Sequence, residues 1–148
     1  MRILLQRVKR ASVCIDEKKY SQIEQGLLLL VGITQEDTKE LCDKIAKKIV
    51  ELRIFEDEQQ KMNLSLLDIQ GEILSVSQFT LYADYKKGRR PGFEKAAKPE
   101  ISKPLYEYFN EQLRKYIPNV QEGVFGSDMQ VELINDGPVS IMIDSEEL

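Results

Sequence analysis

Two segments concentrate groups able to do chemistry. The first, Ser77-Gln78-Phe79-Thr80-Leu81-Tyr82, sets three hydroxyls and a carboxamide into an otherwise apolar stretch. As a strand it places Ser77 and Phe79 on one face and Gln78, Thr80 and Tyr82 on the other. Buried hydroxyls and amides need partners, so such a strand either bonds to polar cross-strand neighbours or lines a pocket. The second is Asn135-Asp136-Gly137-Pro138-Val139-Ser140, the composition of a tight turn. An X–Pro bond prefers trans by only about 0.5–1 kcal/mol, and a preceding glycine adds little steric cost. A cis Gly137–Pro138 peptide would aim two consecutive carbonyls in nearly the same direction, a rigid acceptor for an amino group and a rigid wall. An ordinary hairpin turn accounts for the same residues.

The absences narrow the chemistry further. The 148 residues include no histidine and no tryptophan. A Ser-His-Asp triad, a Cys-His pair and a His-ligated zinc site are excluded. Cys14 and Cys42 lie 28 positions apart with no CxxC spacing, so they make neither a disulfide framework nor a four-cysteine metal cage. They read as small buried thiols in a reducing compartment. No signal peptide is visible near Met1–Arg10, and the longest apolar run, Leu27 to Val31 with Gly32 and Ile33, is too short to span a bilayer. The expectation is a soluble, cytoplasmic protein with no membrane partner.

Charge is unevenly placed. The net charge is −4, yet residues 84–98 carry six basic groups against Asp84 and Glu94, while residues 119–148 carry seven acids and no Lys or Arg. A basic loop on an acidic body suits a short phosphate segment better than a long duplex, although a solvated loop explains the charges equally well.

These segments need elements to hold them. Ile3–Val8 and Ala11–Ile15 read as strands, Tyr20–Ile23 as a hairpin return, and Leu27–Ile33 as a central strand covered on both faces. Leu41, Ile45, Ile49 and Leu52 form one stripe on a helix over Asp37–Leu52, capped by Thr34 or Asp37. Leu52–Phe55 reads as a short strand and Glu72–Ala83 as a long one. A second helix spans Pro99–Tyr116 with Ile101, Leu105, Tyr108 or Phe109, and Leu113 inward and Pro104 in its first turn. Met129–Leu133 and Val139–Ile143 alternate around the Asn135–Pro138 turn as a closing hairpin. The order predicts one mixed α/β domain over residues 1–148, with a largely antiparallel sheet and two main helices.

At these residues the chain resembles the D-aminoacyl-tRNA deacylases, also called D-tyrosyl-tRNA deacylases. The resemblance covers essentially the full length. It runs through Met1-Arg2, Gln6-Arg7-Val8, Leu52-Arg53-Ile54-Phe55 and Lys61-Met62-Asn63-Leu64-Ser65. It continues through Ser75 to Ala83, Lys87-Gly88-Arg89-Arg90-Pro91, Gly123-Val124-Phe125-Gly126, Met129-Gln130-Val131 and Asn135 to Val139. One departure is Ser140, where the family usually has Thr; the hydroxyl is kept.

The resemblance implies a homodimer that hydrolyses the ester joining a D-amino acid to the terminal adenosine of tRNA, with no metal or other cofactor. Ser77, Gln78, Phe79 and Thr80 would form the pocket floor. The Gly137–Pro138 peptide would be cis and inserted into the partner's site, rejecting L side chains and admitting achiral glycine. Phe125 and Met129 would line the adenine pocket, and Lys86, Lys87, Arg89 and Arg90 would meet acceptor-stem phosphates. The residues fit chemistry without histidine. An aminoacyl ester is already activated by the neighbouring ribose hydroxyl, so the protein needs chiefly to place water and stabilise an oxyanion, with backbone N–H groups near Phe79 and Thr80 as donors. Thr80 without a base is a poor nucleophile, and positioning is the preferred role. A free-standing synthetase-type editing domain and a non-enzymatic dimeric RNA-binding protein stay open as alternatives.

Overall fold

A computed structural model describes residues 1–148. Its organising element is a single long strand, β1 (Arg2–Ile15), where the sequence suggested two. One edge of β1 pairs antiparallel with β8 (Gln130–Asp144) from Arg2↔Asp144 to Cys14↔Gln130. Its other edge is shared: the first half pairs with β3 (Gly26–Gly32) and the second half with β2 (Lys18–Ile23), both antiparallel. Beyond β3 the sheet turns parallel, through β6 (Glu72–Ser77) to β7 (Val120–Glu122). Two short strands, β4 (Phe55–Glu56) and β5 (Met62–Leu64), make a separate ribbon. The result is a mixed α/β fold with a largely barrel-like sheet and two helices.

β3 sits between two cores, as its unbroken apolar run predicts. Leu27, Leu29 and Val31 enter the larger cluster beneath the helices, while Leu28 joins Val8, Val13, Leu74 and Val76 on the opposite face. Helix α1 (Lys39–Glu51) buries Cys42, Ile45, Ala46, Ile49 and Val50. Its cap is Thr38, whose Oγ1 accepts from the N–H of Leu41 at 3.2 Å, rather than Thr34 or Asp37. Asp37 is otherwise engaged, accepting from the N–H of Thr34 and from the Met1 ammonium. Burial pushes the Cys42 thiol up to about 12, with the Asp37 and Asp43 charges adding to the effect.

Helix α2 (Pro99–Arg114) packs against α1 and buries Leu105, Tyr106, Phe109 and Leu113. Ile101 faces solvent instead of the core. Pro99 takes the first helical position, where a missing N–H costs nothing, and Pro104 lies inside the helix rather than in its first turn.

The Asn135–Pro138 segment is not a hairpin. β8 runs straight through it, absorbing the extra residues as register shifts opposite Gln6, Val8 and Arg10. A bulged strand can carry turn-type residues when a long partner strand holds both flanks. No helix is long and apolar enough to cross a membrane. Phe109 is fully buried in the larger core; Phe109→Ala is expected to lower unfolding free energy by about 3–5 kcal/mol in a urea titration.

Candidate active site

A cavity of about 600 Å³ opens where the C-terminal ends of β3 and β6 meet the Phe93–Ala97 loop, the start of α2 and the Phe125–Met129 loop. Its floor begins at Ser77, the last residue of β6. The N–H of Gln78 makes one more sheet-like bond, to Val31 O at 2.8 Å, and the chain then leaves the sheet. Phe79–Tyr82 form a 3₁₀ turn, so Ser77 and Phe79 do not share a strand face. Gly32 permits this fold-back: a Cβ there would stand 3.1 Å from both Gln78 O and Leu81 Cβ.

The turn has a chemical consequence. Its opening N–H groups, those of Phe79 and Thr80, have no acceptor within the chain, as expected for the first residues of any helical turn. The Gln78 carboxamide donates from Nε2 to Thr80 Oγ1. No carboxylate or amine hydrogen-bonds the Thr80 hydroxyl.

Aromatic and thioether groups make the walls. Phe79, although 56% exposed, meets Phe93 edge to face with ring centroids 5.1 Å apart. Phe125 lies 6.1 Å from the ring of Tyr106. The Tyr106 hydroxyl donates to Ser75 O at 2.8 Å inside the core. Burial raises that phenol to about 12, hydrogen bonds to Ser75 and Asn110 opposing, so it stays a neutral donor. Met129 is seated against Gly123, where an added Cβ would lie 2.5 Å from its sulfur.

The turn is pinned from behind by Arg2. Its Nη1 donates to Leu81 O at 3.3 Å, its guanidinium lies 4.8 Å from the Tyr82 ring centroid, and its Nε donates to Asp144 at 2.8 Å. Partial burial works against ionisation of Asp144, but the Glu146 N–H and the Arg2 guanidinium outweigh it and hold the carboxyl below its usual range. Burial, with Asp37 and Asp144 adding to it, raises the Tyr82 phenol and keeps it neutral.

Of the expected floor residues, Ser77, Gln78 and Phe79 line the cavity, whereas Thr80, one step into the turn, is exposed and does not. The remaining sequence-derived residues also lie outside the cavity. Gly137–Pro138 is a cis peptide on the exposed outer run of β8. Counting residues and strands from Ser77, it is on the order of 20 Å away along the sheet. It is held by Arg7, which is 4% exposed. Arg7 Nε donates to Asp136 O at 2.9 Å and Nη1 to Ile54 O at 2.6 Å. Gly137 has φ +128°, and a Cβ there would lie 2.9 Å from Arg7 Nη2. The Asn135 carboxamide braces the segment, accepting from the Val139 N–H and donating to Ser140 Oγ, both at 2.8 Å. The hydroxyl of Ser140 is thus in use. Lys86, Lys87, Arg89 and Arg90 occupy the exposed tip of a loop closed by paired 2.8 Å bonds between Asp84 and Gly92. The loop leaves the cavity rim at Phe93.

The family model described as D-Tyr-tRNA(Tyr) deacylase matches residues 4–144. The chain belongs to that family. A relative from Exiguobacterium sp. called D-aminoacyl-tRNA deacylase is 57% identical over 144 residues, covering 97% of this chain and 98% of its own. Another of the same name from Bacillus cereus is 56% identical over 146 residues, covering 99% and 100%. Among solved structures, one described as c-Myc DNA Unwinding Element Binding Protein superposes with a TM-score of 0.92 at 43% identity, over 97% of this chain and 98% of that one. A structure described as a probable eukaryotic D-amino acid tRNA deacylase shares the deacylase fold, with a TM-score of 0.83 at 19% identity over 96% and 97%.

Sequence reasoning passed over Arg2, Arg7 and Tyr106 as parts of this site. Arg7 alone carried a signal, a cation within an apolar strand pattern. Asp144, being lowered, leaves the folded chain with fewer bound protons than the unfolded chain in acid. Its contribution is present above the ordinary carboxylate range and is lost as pH falls through its folded value. The stability gap between wild type and Asp144→Asn is therefore expected to be widest above about pH 5 and to close toward pH 2 in pH-resolved denaturation curves.

Proposed function

We propose that the whole chain, residues 1–148, acts as one deacylase domain in the cytoplasm, hydrolysing the ester of D-aminoacyl-tRNA to free D-amino acid and tRNA. The observation that carries the reading is the pair of N–H groups on Phe79 and Thr80, left without acceptors beside a largely apolar cavity. Two successive free main-chain donors can serve a tetrahedral oxyanion, and in a water-poor site each is worth far more than in bulk water. With no side-chain base on Thr80, the vicinal ribose hydroxyl of the substrate assists attack by water, and Thr80, fixed by Gln78, positions the ester. Ser77 completes the floor. Phe125 and Met129 offer a flat, polarisable slot for the terminal adenine.

Chirality then comes from a second chain. Gly137–Pro138 is too far from its own cavity to act there, yet it is exposed and rigidly braced by Arg7 and Asn135. The outer edge of β8 has no strand partner and exposes Ile134 and Met142, features that favour covering by another chain. In a homodimer the cis peptide enters the partner's cavity, its carbonyls receive the substrate's amino group, and its backbone excludes an L side chain. Achiral glycine passes the same gate. Lys86, Lys87, Arg89 and Arg90 meet phosphates of the acceptor stem. The relative named for binding a DNA element favours a second reading, nucleic-acid binding without hydrolysis, which the basic loop would also serve.

Side-by-side assays with D-Tyr-tRNA and L-Tyr-tRNA in the presence of EDTA separate these readings. Rapid loss of the D ester alone is expected. Cleavage of neither above the buffer rate, with RNA still retained, favours the binding protein; cleavage of both removes Gly137–Pro138 as the chiral gate. Thr80→Ala is expected to keep substantial activity, whereas a fall to the uncatalysed rate identifies a nucleophile. A charge on the open edge, Ile134→Glu, is expected to give an inactive monomer by sedimentation and assay; a fully active monomer overturns the cross-subunit gate.

A further inference from the structure

Tyr85 is the most exposed large hydrophobic side chain of the molecule, at 79%, and no hydrogen bond or ring contact within the chain engages it. It stands at the base of the Asp84–Gly92 loop, next to Lys86 and Lys87, with Arg89 and Arg90 on the returning limb. The loop is anchored at its stem. Its stem is closed by the two Asp84–Gly92 backbone bonds, the Asp84 carboxylate accepts from the Lys86 N–H at 3.0 Å, and Gly88 supplies the positive φ of +73° at the tip. The stem is also tied to the cavity, because Phe93 follows Gly92 directly and packs on Phe79. Chain geometry limits the Tyr85–Phe93 Cα separation to about 13 Å. An exposed aromatic ring flanked by cations, within that reach of the rim of a nucleoside-sized cavity, has the composition of a single-strand stacking platform.

We propose that Tyr85 stacks on an unpaired base of the substrate RNA, next to the terminal nucleoside seated in the cavity, while the flanking cations meet the phosphates between them. This rests on the deacylase reading and adds a subsite to it. Stacking on one base is tolerant of sequence, since every base presents a π-face, so the platform would accept many tRNAs. Its benefit is confined to substrates that carry the neighbouring nucleotide.

The test compares wild type, Tyr85→Ala and Tyr85→Phe on D-Tyr-tRNA and on the D-tyrosyl ester of adenosine alone. Tyr85→Ala is expected to lower kcat/KM on the tRNA ester about tenfold to a hundredfold, through KM, and to leave the adenosine ester unchanged. Tyr85→Phe, which keeps the ring, should match wild type on both. Equal losses on both esters would assign Tyr85 a structural role, and no loss on either would leave it idle; each overturns the subsite. If wild-type protein cleaves neither ester, the deacylase reading itself falls and the subsite with it.

Discussion

A single buried guanidinium organises much of this molecule. Arg7 is one of two charged side chains almost wholly withdrawn from solvent, the other being Asp37 against the Met1 ammonium, and a buried cation must find compensating groups or be expelled. It finds them in two main-chain carbonyls, of Ile54 and Asp136, with the Asp136 carboxylate at 3.7 Å. Because those carbonyls belong to segments far apart in sequence, satisfying one charge joins the connection after α1 to the bulge of β8. The bulge is thereby fixed in orientation, Gly137 is kept free of any side chain, and the exposed cis peptide gains a rigid base. A lysine would supply the charge without the fork that reaches both oxygens.

The cavity rests on a complementary economy. Its floor is made where β6 runs out of partners: β3 ends at Gly32, so after Gln78 the chain has no strand to follow and curls over the glycine. Donors left open by the curl are main-chain groups, positioned by the fold itself. Side chains supply shape, through Phe79 against Phe93 and Phe125 against Tyr106. Arg2, drawn to Asp144 at the far end of β8, locks the curl to the sheet. Proton chemistry at a side chain has little place in such a site, which matches a chain without imidazole.

Where periodicity and core coincide, the sequence was legible. The stripe of α1, the doubly covered β3 and the order of elements could be read because hydrophobic burial dominates there. Ser77 to Tyr82 was misread as continuous strand, since its alternation satisfies a strand pattern while the missing neighbour that ends the strand is invisible locally. Asn135 to Pro138 was misread as a chain reversal for the opposite reason: its residues suit a turn, but a 14-residue partner strand keeps both flanks in register. Ser77, Gln78, Phe79, Phe125 and Met129 line one cavity, while Thr80 stands outside it because the chain has already turned away. The partners of Arg2 and Arg7, which brace the site from behind, were not legible because they are carbonyls and carboxylates 47 to 142 positions away. Family resemblance reached the exposed cis peptide; local physics offered it only as one of two options.

The spacing between the braced peptide and the cavity has a bearing on how such a catalyst behaves in a cell. In the homodimer proposed above the two halves of the site come from different chains, so a newly made or highly diluted chain would be an incomplete hydrolase. At concentrations below the dimer's dissociation constant, turnover would rise with the square of chain concentration. Under that proposal esters of L-amino acids would be spared twice over: the gate would exclude them in the dimer, and the lone subunit would offer a floor with no means of seizing the amino group.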